Sequence, residues 1–333
     1  MNNENASKSG FHAMLSRLQR ATSNSMGSVI IALIVLVVVL SITCPNFLSA
    51  KNILSVMQQV AYIAIMAAGM SFLLISGNID LSVAATLALT AAFTGEMFVN
   101  RGMPAVLAIV VSILIGCLCG AINSFFITKF NLTPMIVTLA GMQIYRGAAS
   151  VFTGGFTSLG MPESIRWIGQ GRLFDFIPVC IIVMIVIYII SWFILSKTRF
   201  GMNLYAMGGN INAAKLSGID IGRTRMAAYV LNGLFATIAG IVLSGRMNSS
   251  SSSLATGIEM DCIAAAVIGG MSMSGGEGNV WGALFGSLLM GVLKNGMNQL
   301  SIHSFWQQII LGIVLLLAIV MDSLRNTPKV RKH

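Results

Sequence analysis

The chain has 333 residues, of which 56% are hydrophobic and only 9% are charged. A soluble globular domain carries roughly 25% charged residues, so this composition excludes a soluble enzyme and indicates an integral membrane protein. The formal net charge of +10 could suggest a nucleic-acid partner. The basic residues gather in polar segments on one predicted side of the membrane, however, so we expect no nucleic acid.

Apolar segments of span length recur along the whole chain. A helix that crosses the hydrocarbon core needs about 20 mainly apolar residues. The sequence therefore predicts an all-α polytopic protein with one transmembrane domain over 28–322, an N-terminal arm over 1–27 and a basic tail over 323–333. The first span lacks the small-residue cleavage pattern of a signal peptide, and we expect it to remain as an anchor. The ten predicted spans lie near 28–44, 54–75, 81–99, 104–127, 133–153, 177–196, 226–245, 260–273, 280–299 and 305–322.

The number of spans rests on the distribution of charge. The fifth span contains Gln143 and Arg146, and the eighth is short and ends in two glycines. Ten crossings place the arm, the loop over 197–225 and the tail on one side, which then holds most of the lysines and arginines. That side is expected to be cytoplasmic. If only the eighth segment failed to cross, the basic tail would be exported, so we predict ten spans with both termini in the cytoplasm.

The polar stretch from Gly201 to Asp220 carries start and stop signals for a short helix. Asn210 can cap the N-terminus, and Gly218 suits the left-handed conformation that ends a helix. A helix this short is marginal alone, so it is expected to dock on a partner. The alternative is a solvated loop that links two spans. The helix formers between the two signals are Ala213, Ala214, Lys215 and Leu216.

Two glycine-rich breaks separate predicted spans on the cytoplasmic side. One is Gly77-Asn78-Ile79-Asp80, and the other runs from Gly269-Gly270 to Asn279. Each is either a tight turn between hairpin helices or a gate, because backbone outside a helix must not face lipid. Asp80 just precedes the third span, where a carboxylate suits a helix N-terminus.

Polar residues within the spans are mostly uncharged. Glu96, Arg146 and Lys294 are the ionisable groups that we note there, and the two cations could anchor at an interface instead. Amide and hydroxyl side chains suit a path for a neutral, hydroxyl-rich solute. A proton relay would need buried acids or histidines. The candidate gate and path residues are Gly77, Asn78, Asp80, Ser82, Asn123, Gln143, Gly269, Gly270, Gly275, Gly276 and Asn295.

No soluble-enzyme motif occurs in the chain. It has no Gly-x-x-x-x-Gly-Lys-Ser/Thr for ATP, no His-Glu-x-x-His and no Gly-x-Ser-x-Gly on a strand-turn-helix. The cysteines and histidines are scattered and form no metal-ligand set. The serine run Ser249–Ser253 is typical of a flexible linker. We therefore expect no catalytic residue, no metal and no nucleotide site in this chain.

Four stretches match a known family in order along the chain. From about Asn46 to Asp322, the sequence resembles the permease subunits of bacterial ribose-type ABC importers, which carry monosaccharides. The family usually has GGIDLSVG in the first stretch; Asn78 and Ala84 depart from that pattern, whereas Asp80 and Ser82 match it. The four stretches are ISGNIDLSVAA at 75–85, TLAGMQIYRG at 138–147, YAMGGNINAAKLSGID at 205–220 and the segment 263–300.

The resemblance implies a fold, partners and a location. It implies the ten-helix fold of vitamin B12-type importers, in the cytoplasmic (inner) membrane of a bacterium. ATP and Mg would be bound by a separate ATPase subunit, a second permease chain would pair with this one, and an external protein would deliver the sugar. Residues of this chain that would couple to the ATPase are Gly208, Gly209, Asn210, Ala213, Ala214, Leu216 and Gly218.

Two other functions compete with this hypothesis. An ion-coupled secondary transporter or facilitator would act alone. A membrane scaffold would only anchor a cytosolic partner at the loop over 197–225 and would conduct nothing. The sequence leaves open which sugar is carried, and whether the permease is a homodimer or pairs with a sister chain.

Overall fold

The computed structural model describes residues 25–174 and 176–326, so most of the predicted N-terminal arm and of the basic tail lies outside the described residues. The described chain is helical apart from loops and four two-residue strands. The helices are α1 Ser25–Thr43, α2 Ala50–Ile75, α3 Val83–Gly95, α4 Ala105–Lys129, α5 Pro134–Thr153, α6 Glu163–Gln170, α7 Val179–Lys197, α8 Arg199–Gly209, α9 Ile211–Leu216, α10 Ile221–Met247, α11 Ile258–Ile268, α12 Val280–Gln299 and α13 Ser304–Asn326. The strands are β1 Ser158–Leu159, β2 Arg172–Leu173, β3 Ile177–Pro178 and β4 Ser249–Ser250.

Eight of these helices are long and apolar enough to cross a membrane. They are α1, α2, α3 with its π-helical extension Glu96–Asn100, α4, α5, α7, α10 and α13. Their positions match eight of the ten predicted spans. The chain is therefore an all-α, multi-pass membrane protein.

The remaining two predicted spans correspond to α12 and α11. With 20 residues, α12 is long enough to span but is not among those eight. With 11 residues, α11 extends over only about 16 Å, about half of the ~30 Å hydrocarbon core. The prediction of a span over 260–273 was therefore wrong in its helical length, because the helix ends at Ile268 and Gly270 takes a left-handed φ of +93°.

Contacts at both ends of α11 show where the chain goes. The loop before it pairs with residues next to α6, because β4 runs antiparallel to β1. The loop after it, residues 269–279, contacts Gly208 at the end of α8. We call these two ends of the bundle the α6 end and the α8–α9 end. A short helix and an irregular loop together thus take the chain from one end to the other.

The core is built around α2. In the most apolar 18-residue stretch of this helix, 89% of the residues are buried. It packs against α10, α12, α7 and α11. The α10–α4 pair is especially close, because a Cβ at Gly120 would overlap the Tyr229 carbonyl and one at Gly233 would overlap the Gly116 carbonyl. Small residues commonly permit such backbone contact between membrane helices. At the periphery, only small parts of the apolar helices α1 and α13 are buried, which is typical of lipid-facing helices.

The serine run is part of the folded structure. Ser249 and Ser250 pair with β1, and the Ser250 side chain is buried. Arg146 Nη1 donates to the Ser252 carbonyl at 2.8 Å. The prediction of a flexible linker over 249–253 was therefore wrong, since strand pairing and this guanidinium contact hold its backbone.

Candidate functional site

The polar stretch 201–220 forms parts of two helices rather than one. The predicted one is α9, in which the Asn210 side chain accepts from Ala213 N at 3.0 Å and Gly218 has a φ of +83°. Both signals therefore act as predicted. The helix before it, α8, was missed because its three glycines give a low helix propensity. Its cap is Thr198, whose hydroxyl accepts from Gly201 N at 3.2 Å.

Apolar side chains on α9 point away from the protein. Leu216 is 90% exposed and Ile211 is 44% exposed, whereas Ala214 is buried. Ala213 is also exposed. A six-residue helix gains little from its own hydrogen bonds, and large apolar side chains outside the lipid-facing surface are typical of an interaction site.

Three segments meet backbone to backbone beside α8, at what we call the glycine junction: Gly77, Gly208, Gly209, Gly275 and Gly276. Gly276 N donates to the Ile75 carbonyl at 2.8 Å. A Cβ at Gly275 would lie 2.8 Å from Gly77 Cα and 2.9 Å from Gly208 Cα. At Gly208, Gly275 and Gly276 there is no room for a Cβ between these backbones, so α8, the hairpin after α2 and the loop 269–279 are in direct mechanical contact.

A second bond fastens α8 to the same loop. Tyr205 Oη donates to the Gly278 carbonyl at 2.8 Å. Burial raises the pKa of the Tyr205 hydroxyl, so the hydroxyl stays protonated near neutral pH and remains a donor. Gly269 and Gly270 lie apart from the junction: Gly269 packs on Gly282 of α12, and Gly270 starts the loop.

Beyond Gly77 the chain turns back into the bundle and reaches a buried polar network. Asp80 Oδ1 accepts from the Ser82 amide at 2.8 Å and from its hydroxyl at 2.6 Å. Asp80 Oδ2 accepts from Asn232 Nδ2 at 2.8 Å. Ser82 Oγ in turn accepts from Asn123 Nδ2, and Asn123 Oδ1 accepts from Tyr145 Oη, both at 2.8 Å. We call these five residues the Asp80 cluster.

The Asp80 cluster lies deep in the structure and joins four elements. Asn232 is 11 residues beyond the start of α10, about 16 Å along its axis. Through its members, the start of α3 is bonded to α4, α5 and α10. A second tyrosine, Tyr229, donates to the Ile79 carbonyl at 2.9 Å. Asp80 thus does more than serve the N-terminus of α3, because its second oxygen holds a distant helix.

The other predicted path residues are dispersed. Asn78 bonds within the hairpin, to Ser76. Gln143 is exposed on the outer face of α5. Asn295 lies at the α6 end, where its amide and that of Asn52 exchange hydrogen bonds of 3.0 and 3.1 Å. The structure therefore unites Asp80, Ser82 and Asn123 and leaves the rest in separate places.

Tyr145 and Asn232 complete the cluster but were absent from the predicted site. Tyr145 occurs in the TLAGMQIYRG stretch, and Asn232 is an amide within a predicted span. Either feature could have drawn attention to them. Asp261 was also overlooked, although it lies in the predicted eighth span and pairs with Lys294.

Comparison with known proteins gives a consistent match over most of the chain. The sequence profile of a family described as "Branched-chain amino acid transport system / permease component" matches residues 52–319. The ribose import permease protein RbsC of Bacillus subtilis (strain 168) is 42% identical over 88% of this chain and 91% of the relative. RbsC of Escherichia coli (strain K12) is 37% identical over 88% of this chain and 92% of the relative. The xylose transport system permease protein XylH of that strain is 33% identical over 83% of this chain and 86% of the relative. No solved structure matches the chain.

Proposed function

This chain belongs to the family of permease components of ABC transport systems, and we propose that it forms the path along which a monosaccharide enters the cell. It is a transporter subunit and not an enzyme, because ATP hydrolysis in such importers lies in a separate subunit. The relatives are named for ribose and xylose, both pentoses. A pentose is therefore the substrate class to test first.

The proposed partner at the α8–α9 end is the ATPase subunit, which binds ATP and Mg. Exposed Leu216, Ile211 and Ala213 would enter an apolar groove of that subunit. Charge supports this orientation, since Arg199, Lys215 and Arg223 lie at this end and basic residues favour the cytoplasmic side. Both termini would then be cytoplasmic, in the inner membrane of a bacterium.

Two further partners complete the proposed assembly. A second permease chain, either identical or a sister, would pair with this one. An external sugar-binding protein would deliver its cargo at the α6 end. Neither partner alters the assignment of the α8–α9 end to the ATPase.

The observation that carries the proposal is the direct contact between α8 and the two glycine-rich breaks. A displacement of α9 by the ATPase would move α8, and α8 cannot move without the hairpin after α2 or the loop 269–279. The hairpin leads straight to the Asp80 cluster between α3, α4, α5 and α10. The pathway would alternate between an outward-open and an inward-open conformation. To change the ratio of their populations from 1:99 to 99:1, the ATPase must supply roughly 5.5 kcal/mol.

Substitution on α9 tests the proposal. Ala213→Arg places a long charged side chain on the exposed face, where it would obstruct docking without disturbing the permease itself. We expect the variant to remain in the membrane, to lose ATP-dependent ribose uptake in proteoliposomes, and to lose co-purification of the ATPase. Gly209→Arg is expected to behave in the same way, since its Cβ meets no atom within 4 Å inside the permease.

The control lies at the opposite end of the bundle. Ser164 is exposed on α6, and Ser164→Arg adds the same single positive charge there, away from the proposed ATPase contact. Normal co-purification of the ATPase with both α9 variants would contradict the proposal. Uptake by the purified chain alone, abolished by collapse of a proton or sodium gradient, would favour an ion-coupled transporter instead.

A further inference from the structure

An ion pair lies between α11 and α12 near the α6 end. Lys294 Nζ donates to Asp261 Oδ2, and the two side chains are only 19% and 10% exposed. A buried ion pair adds little to stability, because desolvation of both charges offsets their attraction. Ionisable residues within membrane helices commonly mark a solute pathway. Packing alone therefore gives no reason for this pair.

The ion pair borders a cavity of about 530 Å³ between α11, α12 and α13. Small-molecule sites usually have about 300–1,000 Å³, so the cavity is large enough for one monosaccharide. Its polar lining residues are Thr256, Asp261, Lys294 and Gln308, and its walls include the apolar Met290 and Leu311. A few polar groups against apolar walls are the usual composition of a small-molecule site.

Hydrogen-bonding groups in the cavity are free to bind a ligand. An ammonium has three donors, and the bond to Asp261 is the one that Lys294 makes within the described part of the chain. Gln308 is exposed and makes no hydrogen bond to any described residue. A vicinal diol can accept from the ammonium and donate to the carboxylate or the amide at the same time.

The charges also select the kind of ligand. Lys294 and Asp261 neutralise one another, so a neutral polyol adds no net charge to the site, whereas an anion or cation would compete with the pair. Arg146 contacts Thr256 through a 2.9 Å hydrogen bond, and its guanidinium also holds the carbonyls of Ser252 and Leu254. The rim of the cavity is therefore held in place by backbone and side-chain bonds.

We propose that this cavity is the first sugar-binding site of the permease, where Asp261, Lys294 and Gln308 bind the hydroxyl groups of a pentose. The proposal rests on the proposed function and on its orientation, in which the α6 end faces outward. The sugar would enter here after release by the binding protein. The Asp80 cluster lies on other elements, closer to the α8–α9 end.

A charge exchange separates binding from structural support. The double variant Asp261→Lys with Lys294→Asp keeps an ion pair between the two helices but exchanges the donor and acceptor positions offered to the sugar. We expect roughly a tenfold or larger loss in ribose uptake at saturating binding protein, since hydrogen bonds to charged groups are the stronger kind. ATPase co-purification should be unchanged. Full uptake by this double variant would mean that the pair is only structural, and would overturn the proposal.

Gln308→Ala is a second variant that leaves folding intact, because the Gln308 side chain is exposed and bonds to no described residue. We expect it to reduce ribose uptake as well. The matched control is Glu96→Gln, which removes the Glu96–Arg101 ion pair of 3.5 Å at the same end but outside the cavity. This control is expected to transport ribose at the parent rate.

The outcomes distinguish this inference from the proposed function. If the parent complex takes up no sugar, the proposed function itself fails. If the parent transports ribose and Gln308→Ala and the charge exchange do so at the same rate, the cavity does not bind the sugar and this inference fails. A loss of uptake in both variants, with normal ATPase binding and a normal control, supports it.

Discussion

Asp80 shows how one residue can organise the middle of an apolar bundle. Both carboxylate oxygens accept hydrogen bonds, from Ser82 on its own segment and from Asn232 on α10. A buried polar group is tolerated when it is bonded in this way. Removal of one partner is costly, because each buried donor left unsatisfied lowers the stability by about 1–3 kcal/mol.

Asp80→Ala and Asp80→Asn are therefore expected to differ. Alanine leaves the Ser82 amide and Asn232 Nδ2 without acceptors, a loss of at least about 2 kcal/mol. The asparagine amide can be accommodated, because Asn232 Oδ1 is buried and unpartnered among the described residues, and a rotation of the Asn232 amide would turn this acceptor toward the new donor. Aggregation temperature in detergent should fall for Asp80→Ala and stay near the parent value for Asp80→Asn. Equal temperatures for both variants would refute the role given to Asn232.

Sequence reasoning found the members of the Asp80 cluster unevenly. Asp80 and Ser82 stand in one recognisable stretch, and Asn123 was a polar residue in a span. Asn232 is 152 positions from Asp80, and nothing in local spacing or periodicity indicates that the two meet. Gln143 satisfied the same polar criterion as Asn123 but lies on the exposed face of α5, so its part in a path stays a prediction.

Among the elements, α8 depends on close backbone contact at one of its two terminal glycines. A Cβ at Gly208 would overlap the Ile75 carbonyl and the Gly276 amide, the two groups that bond to each other across the junction. A Cβ at the neighbouring Gly209 would meet nothing within 4 Å. The chain thus offers an internal control one residue away.

Gly208→Ala is expected to destabilise the permease, and Gly209→Ala is not. Forcing a methyl group into a packed contact typically costs about 1–3 kcal/mol, whereas replacing glycine by alanine in a helix gains roughly 0.5–1 kcal/mol. Aggregation temperature in detergent should therefore fall for Gly208→Ala and hold or rise for Gly209→Ala. In the full complex, Gly208→Ala should also raise the number of ATP molecules that are hydrolysed for each ribose molecule taken up. The same temperature for both variants would show that the junction does not constrain α8.

Element boundaries were predicted well where a single signal dominates. Hydropathy located eight spans, and the caps Asn210 and Gly218 fixed α9. Sequence-based prediction failed at the glycines, because glycine occurs both within helices and at their ends. In α8, Gly208 packs against other backbones within a helix, whereas the glycines after Ile268 end α11. Composition cannot separate these cases, because the difference lies in which segment approaches from elsewhere in the chain.

At the scale of the whole molecule, the two loops that flank α11 lie at different ends of the bundle. The α8–α9 end carries Arg199, Lys215 and Arg223, and the loop 269–279 lies against it. The α6 end carries the paired strands β1 and β4. Both observations require the chain to cross between Ser253 and Ser274, although α11 is only 11 residues long.

Accessibility of single cysteines tests that crossing. Ser253 and Ser274 flank α11 and are both exposed, as is Ser217 beside α9. We expect a membrane-impermeant maleimide to label Ser253→Cys in intact cells, and Ser274→Cys and Ser217→Cys only in inside-out vesicles. The parent chain sets the background, since four of its five free cysteines are buried and Cys117 is half-buried. Labelling of Ser253→Cys and Ser274→Cys from the same side would mean that α11 and its loop form a re-entrant hairpin. The basic tail would then lie outside, and the contact of the loop with Gly208 could not exist in the membrane.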